Sequence, residues 1–567
     1  MRHESMWDRS MIDRGRELGA AEFDWVHWDL AKRNAKAYGK REAIVDTFIG
    51  ATREKMRRKT WAQFFEDVNL YVLNLHHLGI QKGDMILTQL PNVIENVYSR
   101  VATSKLGAMI VPTQIDLGEA EVRGSLEAVD PDITVVIPSH HGREIAKWHL
   151  EHQKSHPKLK HIFVLAKPGE SVPEGTKPFS ELINPDIRKK YGDEDLDRMK
   201  PDPFDPWIFL VTGGTTGIPK FCVQSTYTIS QLHSAANYSP RGGVKVFDTL
   251  LAFGPTNGGT GHVATIEPMM TEAARLIYLT DFKEEDACRI TEEEKVTIWA
   301  GVPATMVMMA TSPYFKKYDM SSVRVCLYSG MPLARDIGEL FWDMGIRPAG
   351  QYGTSISGAC VGGNAVTDTR DELLYTSGKV YSGYDVKLTD VNGNTVAQGE
   401  YGEILVWRPH FSYYKDPEST KASFPKAAEE GYGGYEHTGD IGVFDERGNL
   451  RIVGRQNDMI LRGGANIFPK EIEDILGKHP KVSQIAVVSM PDKILGEKCC
   501  AFVVPAPGEK PTLKDLTAYL DELKVTKSKW PERLELIDSM PISTGGKLRR
   551  EDLRADIAKK LKAEGKV

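Results

Sequence analysis

Apolar and polar positions along this chain follow two rhythms. Short runs rich in β-branched and aromatic residues, MILTQL (Met85–Leu90), AMIVPTQ, DITVVI, HIFVLA and WIFLVT, recur through the first two-thirds with helical spacing between them. Such runs read as strands, and their alternation with helices predicts an α/β layout. The final hundred or so residues read differently. NLRIVGR is followed by a polar connector, QNDMILRGG, then a helix from Pro469 to Gly477, strands around QIAVVSM and CAFVVPA, and the helix of PTLKDLTAYLDEL. Pro469 suits a first helical turn, Ile472, Ile475 and Leu476 form one apolar stripe, and Gly477 with Pro480 stops it. Thr512 ahead of Leu513, Leu516, Leu520 and Leu523 repeats the pattern. The prediction is a large multi-layer α/β domain over 1–456 and a small α+β domain over 457–567, with the boundary near Arg455–Asp458.

At 567 residues, 41% hydrophobic and 26% charged, the chain is long enough for a large core and more than one domain. A net charge of -6 leaves no basic footprint for nucleic acid or an anionic membrane, so small molecules are the expected partners. Cys222, Cys288, Cys326, Cys360, Cys499 and Cys500 have neither zinc-type nor disulfide-framework spacing and read as buried free thiols. The first twenty residues lack a secretory apolar core, and nowhere do about eighteen apolar residues run together. The expectation is a cytoplasmic protein; pairing into a homodimer is left open.

The segment WIFLVTGGTTGIPKFCVQS (Trp207–Ser225) packs glycines, threonines and a lysine between two strand-like runs. Backbone N–H groups freed by glycine, with hydroxyl and ammonium donors beside them, make a cradle for phosphate. A P-loop would need glycine directly before the lysine and a helix after it. Here Pro219 precedes Lys220, and FCVQ alternates like a strand, so the loop is expected to join two strands.

The stretch Thr212-Gly213-Gly214-Thr215-Thr216-Gly217-Ile218-Pro219-Lys220 resembles the signature loop of the adenylate-forming superfamily, which holds acyl- and aryl-CoA synthetases, peptide-synthetase adenylation domains and luciferases. GIQKGDMILTQLPN, SKLGAMIVPT, SGMPLA (Ser329–Ala334), QYGTS (Gln351–Ser355), HTGD (His437–Asp440), GRQNDMILRGGANIFPKEIE (Gly454–Glu473) and PISTGGKLRREDL (Pro541–Leu553) follow in the family's order, so the resemblance spans roughly Ala43 to Leu553. It implies that ATP and a carboxylic acid give an acyl-AMP and pyrophosphate, after which the acyl group passes to coenzyme A, with Mg²⁺ accompanying ATP. A stand-alone adenylating enzyme serving a carrier-protein thiol or an amine, and a nucleotide-binding protein without turnover, are the other readings.

By the same resemblance Thr212, Thr215, Thr216, Lys220 and the N–H groups of Gly213, Gly214 and Gly217 hold the β- and γ-phosphates. Lys547 looks like the mobile-domain lysine that bridges the acid and the α-phosphate. Asp440 would accept from both ribose hydroxyls, with Arg455 beside it. Tyr352, within Gln351-Tyr352-Gly353-Thr354-Ser355, offers a flat face to adenine, and Ser329, Gly330 and Met331 a backbone wall. Asp458 corresponds to the hinge on which the small domain turns, and Gly464 to the glycine that admits the pantetheine arm of coenzyme A.

Two positions depart from the family's pattern. Where the motif after Tyr-Gly usually ends in a magnesium-binding glutamate, this chain has Ile356, so Mg²⁺ is expected to rest on phosphate oxygens and water, with no confident protein ligand. In LLAFGPTNGGTGH, Gly258 stands where relatives carry a histidine that flanks the acyl pocket; His262 either returns a ring to the pocket or packs in the core. The expected pocket, from Tyr238, Asn257, Gly258, Gly259, Gly330, Met331 and Ile356, is apolar and glycine-opened. An aryl, alicyclic or medium-chain acid suits it better than an amino acid, whose ammonium would need a buried partner.

Overall fold

The MILTQL, AMIVPTQ, DITVVI, HIFVLA and WIFLVT runs supply five strands of one seven-stranded sheet, in the spatial order Lys177–Pro178, His161–Val164, Ile133–Val136, Met85–Gln89, Met109–Pro112, Pro206–Thr212, Lys220–Ser225. All neighbours are parallel except the last pair, a hairpin. The apolar runs are continuous because the strands are covered on both faces: Met85–Gln89, Met109–Pro112 and Ile133–Val136 are buried throughout. This is a computed structural model, and it describes residues 10–20, 23–212, 219–356, 358, 360–409, 413–430, 434–462, 465–542 and 548–566.

A second, nine-stranded sheet has a parallel centre: Arg347–Tyr352, Val325–Ser329, Ile298–Gly301, Thr249–Ala252, Arg275–Tyr278 and Glu42–Asp46 lie side by side, with antiparallel strands at both edges. The helix Ile94–Leu106 touches strands of both sheets and is buried from Ile94 to Lys105. An ordinary surface helix keeps one polar face; this one is a middle layer. Most of its polar residues are therefore engaged by bonds. Arg57, from one edge strand of the nine-stranded sheet, donates to Asp46 (Nε, 2.8 Å) and to both oxygens of Glu95 on the helix (2.6 and 2.8 Å). Asp46 also accepts from the N–H of Ile94 at 2.9 Å, tying the helix start to the sheet.

The chain packs into two compact units, Met1–Val386 with Val406–Glu436, and Lys387–Leu405 with His437–Val567. The boundary expected near Arg455–Asp458 thus falls inside the second unit. The reason is apolar packing: Ile441, Val443 and Val453, ahead of that boundary, share a core with Phe468, and Met459 joins them. Within the second unit, Pro469–Leu476 and Leu513–Glu522 are helices, and Val482–Asp492 pairs antiparallel with Gly496–Pro505. Thr512 caps its helix as a reciprocal box, accepting from Asp515 N at 3.2 Å while the Asp515 carboxylate accepts from Thr512 N at 2.7 Å. The stretch read as a connector is partly a strand: Ile460–Arg462 pairs with Ala465–Ile467 because Ile460 is fully buried while Leu461 faces out. All six cysteines are buried free thiols. Among the described residues no helix is long and apolar enough to cross a membrane.

Removing Arg57 would leave Asp46 and Glu95 buried without their cation. Arg57→Ala is expected to destabilise the protein by about 3–5 kcal/mol, seen as a lower denaturation midpoint in urea; an unchanged midpoint would contradict this role.

Three enclosed imidazoles are held neutral. Burial pushes His149 and His233 down to about 3 and His262 to about 4, the last against the pull of its bond to Glu267. An unfolded histidine titrates near about 6.5, so below that pH the unfolded chain binds more protons. Their stabilisation is complete above about pH 6.5 and is lost as pH falls. Thermal melts should show Tm dropping from pH 7 to pH 5, whereas a level or rising Tm would count against neutral burial.

Candidate active site

Strands Pro206–Thr212 and Lys220–Ser225 pair antiparallel with Thr212 opposite Lys220, so the glycine loop is the tip of a hairpin. A strand, not a helix, follows the lysine, and the P-loop alternative is excluded. Gly213, Gly214, Thr215, Thr216 and Gly217 lie outside the described residues, and of Thr212 only the backbone is described. Lys220 is half-buried, with its ammonium 5.7 Å from the centroid of the Tyr413 ring. Further down the same strand, Gln224 Nε2 donates to the carbonyls of Ser355 (3.3 Å) and Ile356 (3.2 Å), and Gln224 Oε1 accepts from Arg408. The hairpin is thereby bonded to the Tyr352–Ile356 loop.

That loop leaves the carboxyl end of the parallel strand Arg347–Tyr352, and the Ser329–Met331 turn leaves the neighbouring strand Val325–Ser329, with Ser329 opposite Gln351. Carboxyl ends of adjacent parallel strands are where open α/β sheets bind ligands. Gly330 has φ +88°, a left-handed turn that glycine adopts without strain, and it presents bare backbone there. Ser329, Gln351 and Tyr352 are buried, and Gly353, Thr354 and Ser355 are half-buried.

Ile356 is buried and offers no cation ligand. A carboxylate that sequence reasoning missed stands nearby: Thr354 Oγ1 donates to Glu436 Oε1 at 2.6 Å, and Glu436 is 5% exposed. An acidic residue opening a buried strand, directly ahead of HTGD, was the available signal. It joins Thr354 across 82 positions of sequence, a pairing that no local pattern encodes.

The Asn257–Gly259 loop differs from the expected apolar lining. Asn257 is 3% exposed and its amide is consumed: Nδ2 donates to the carbonyls of Leu90 and Thr113, both at 2.8 Å, and Oδ1 accepts from Asn96 at 2.9 Å. Arg100, wholly enclosed and lowered by burial to about 10, adds a bond from Nη2 to Thr256 O at 2.8 Å. Asn257 is a strut for the loop. Gly258 does provide room, since a Cβ built there meets nothing within 4 Å. His262 packs in the core, with Nε2 2.7 Å from Glu267 Oε1; the same oxygen is 2.8 Å from His27 Nε2. Tyr238 is buried, and its hydroxyl has no hydrogen-bond partner among the described residues.

In the second unit Asp440 and Arg455 face each other on paired antiparallel strands, with Arg455 Nε 3.1 Å from Asp440 Oδ1. Asp440 is 7% exposed, and its N–H donates to Thr438 Oγ1 at 3.1 Å. Asp458 is gripped by the C-terminal helix Arg550–Ala563: it pairs with Arg554, and Arg550 Nε lies 3.5 Å away. Arg550 also donates to both oxygens of Glu473, at 2.6 and 2.9 Å. Both arginines are structural anchors. Gly464 and Lys547 lie outside the described residues; on either side of 543–547, Ile542 and Leu548 pair as a bridge.

Known proteins resemble this chain along most of its length. The family model described as AMP-binding enzyme matches residues 31–413, and that of the AMP-binding enzyme C-terminal domain matches 471–547. The medium-chain fatty-acid–CoA ligase of Escherichia coli (strain K12) is 28% identical, covering 85% of this chain and 83% of its own. The 2-hydroxy-7-methoxy-5-methyl-1-naphthoate–CoA ligase of Streptomyces carzinostaticus is 27% identical over 88% of each chain. The crystal structure of the anthranilate CoA ligase AuaEII with anthranoyl-AMP superposes with a TM-score of 0.81 at 22% identity, covering 96% of this chain and 99% of that one, a likeness of fold. The chain therefore belongs to the AMP-binding enzyme family, within the adenylate-forming acid–CoA ligases.

Proposed function

We propose that this protein activates an aryl, alicyclic or medium-chain carboxylic acid with ATP and passes the acyl group to coenzyme A. The observation that carries the reading is the hairpin itself, with Lys220 opposite Thr212 at the base of a glycine–threonine loop and Gln224 bonded to the Tyr352–Ile356 segment. In the first step an oxygen of the acid attacks the α-phosphorus and pyrophosphate leaves. Donors from Thr212–Lys220 cover the charge of the departing diphosphate, and Lys547 brings the carboxylate onto the phosphorus. Asp440 and Arg455 hold the ribose, and Tyr352 with Ser329–Met331 encloses the adenine. In the second step the coenzyme A sulfur attacks the acyl carbon and AMP leaves. Asp458 is the pivot between the two steps, and Gly464 lets the pantetheine arm pass.

Magnesium fits the side chains present. Ile356 contributes nothing, but Glu436 places carboxylate oxygen beside Thr354, and hard cations take oxygen ligands. Bound there, Mg²⁺ supplies positive charge to the triphosphate. Glu436 would be the protein group that holds it.

Three measurements test this reading. Lys547→Ala is expected to slow acyl-AMP formation by at least about 10²-fold while thiolysis of preformed acyl-AMP keeps its rate; equal loss of both steps would contradict the role. Gly464→Leu is expected to do the reverse, blocking thioester formation and sparing the adenylate, and unimpaired thioester formation would remove the tunnel assignment. Glu436→Gln should raise severalfold the Mg²⁺ concentration at which ATP binding is half-maximal in calorimetry without acid or coenzyme A. An unchanged magnesium dependence would exclude Glu436 as a ligand.

A further inference from the structure

The first unit holds a group of buried polar side chains without hydrogen-bond partners among the described residues. His233 is fully buried, and both ring nitrogens lack a hydrogen-bond partner. The hydroxyls of Tyr238 and Tyr381, each 1% exposed, are likewise unpartnered, as are both amide atoms of Gln351. These groups share one neighbourhood. The His233 ring lies 5.4 Å from that of Tyr238 and 5.8 Å from that of Tyr381, centroid to centroid. A Cβ built on Gly363 would collide with the Tyr381 hydroxyl and lie 3.0 Å from Gln351 Cγ, so this glycine keeps open the space into which both side chains project. The Cys360 thiol, hydrogen-bonded to Ser329, lies near both tyrosines and joins the cluster to the Ser329–Met331 wall.

Local backbone geometry makes the grouping. His233 and Tyr238 belong to Tyr227–Tyr238, which is wound as a π-helix, with i→i+5 bonding. On an α-helix residues five apart diverge; the wider turn brings them onto one face, and π segments are frequent at functional sites.

Buried polar groups in a native protein are almost always satisfied, by protein, water or ligand. Here several converge beside the Ser329–Met331 turn. We propose that this cluster is the distal end of the acyl pocket and recognises the acid by hydrogen bonds, so that the substrate is a cyclic or aromatic acid bearing hydroxyl or oxo groups away from its carboxylate. The inference rests on the acid-activating reading and narrows its substrate class. It also corrects the expectation of an apolar lining. A pocket that bonds a substrate hydroxyl rejects the analogue lacking it far more strongly than an apolar pocket rejects an added methylene, because its own polar atoms are then left bare.

The test is kcat/KM for AMP release by the full-length enzyme, with ATP, Mg²⁺ and coenzyme A, over matched acids: benzoate against 3-hydroxybenzoate and 3,4-dihydroxybenzoate, 2-naphthoate against its hydroxy derivatives, cyclohexanecarboxylate against 4-oxocyclohexanecarboxylate, and octanoate. At least one oxygenated acid is expected to exceed its parent by about 30-fold or more. Tyr238→Phe and Tyr381→Phe, which preserve shape, should each cut that preference about tenfold by lowering the rate on the oxygenated acid alone. His233→Phe provides a third variant should either tyrosine change impair folding. If unsubstituted acids or octanoate are used as well as or better than every oxygenated acid, the proposal is overturned while the ligase reading stands, and water is the partner of these groups. Equal losses on both kinds of acid in the variants would overturn it too, by making the tyrosines structural. If no acid in the panel releases AMP, the ligase reading fails and takes this inference with it.

Discussion

Joining a carboxylate to a phosphate means bringing two anions within bonding distance, and that repulsion is the constraint around which the proposed site is arranged. In water the charges would be screened by solvent that also hydrolyses the product. A protein must replace that screening with fixed donors, and fixed donors must be held by something. The hairpin from Pro206 to Ser225 offers one lysine and a glycine–threonine tip. Gln224, itself held by Arg408, bonds it to the loop that follows Tyr352. A Gly-rich loop alone is flexible; a loop closed by a two-strand ladder and bonded to a neighbouring sheet starts from a fixed base.

The same principle governs the interior. The helix Ile94–Leu106 is a buried layer that carries charge and amide groups where apolar side chains would pack more simply. Each has a task. Glu95 completes the Asp46–Arg57 cluster, while Arg100 holds the Thr256 carbonyl and Asn96 the Asn257 side chain, just ahead of Gly258. Buried polar networks of this kind are stable only when their members are satisfied, which gives the loop one conformation. The contrast with His233, Tyr238, Tyr381 and Gln351, enclosed and unpartnered, is what separates a structural network from a recognition surface.

Much of this was legible in the chain because it is local. Alternation after Lys220 marked a strand and excluded a P-loop, and Thr512 ahead of Leu513 marked a helix start. What was not legible rests on distant pairings. Glu436 reaches Thr354 across 82 positions, Arg408 reaches Gln224 across 184, and the Asn257 amide is consumed by carbonyls at Leu90 and Thr113. A glycine-rich loop in sequence shows that space exists, but not that the neighbouring amide is a strut. That Ile441 and Val453 pack against Phe468 likewise depends on tertiary contact alone.

The most direct test of the central claim is exchange of labelled pyrophosphate into ATP, measured with the intact enzyme, Mg²⁺ and a carboxylic acid in the absence of coenzyme A. Reversible attack of the acid on the α-phosphorus requires exchange that depends on the acid. Exchange that proceeds equally without acid, or cleavage of ATP to ADP and phosphate, would contradict the account.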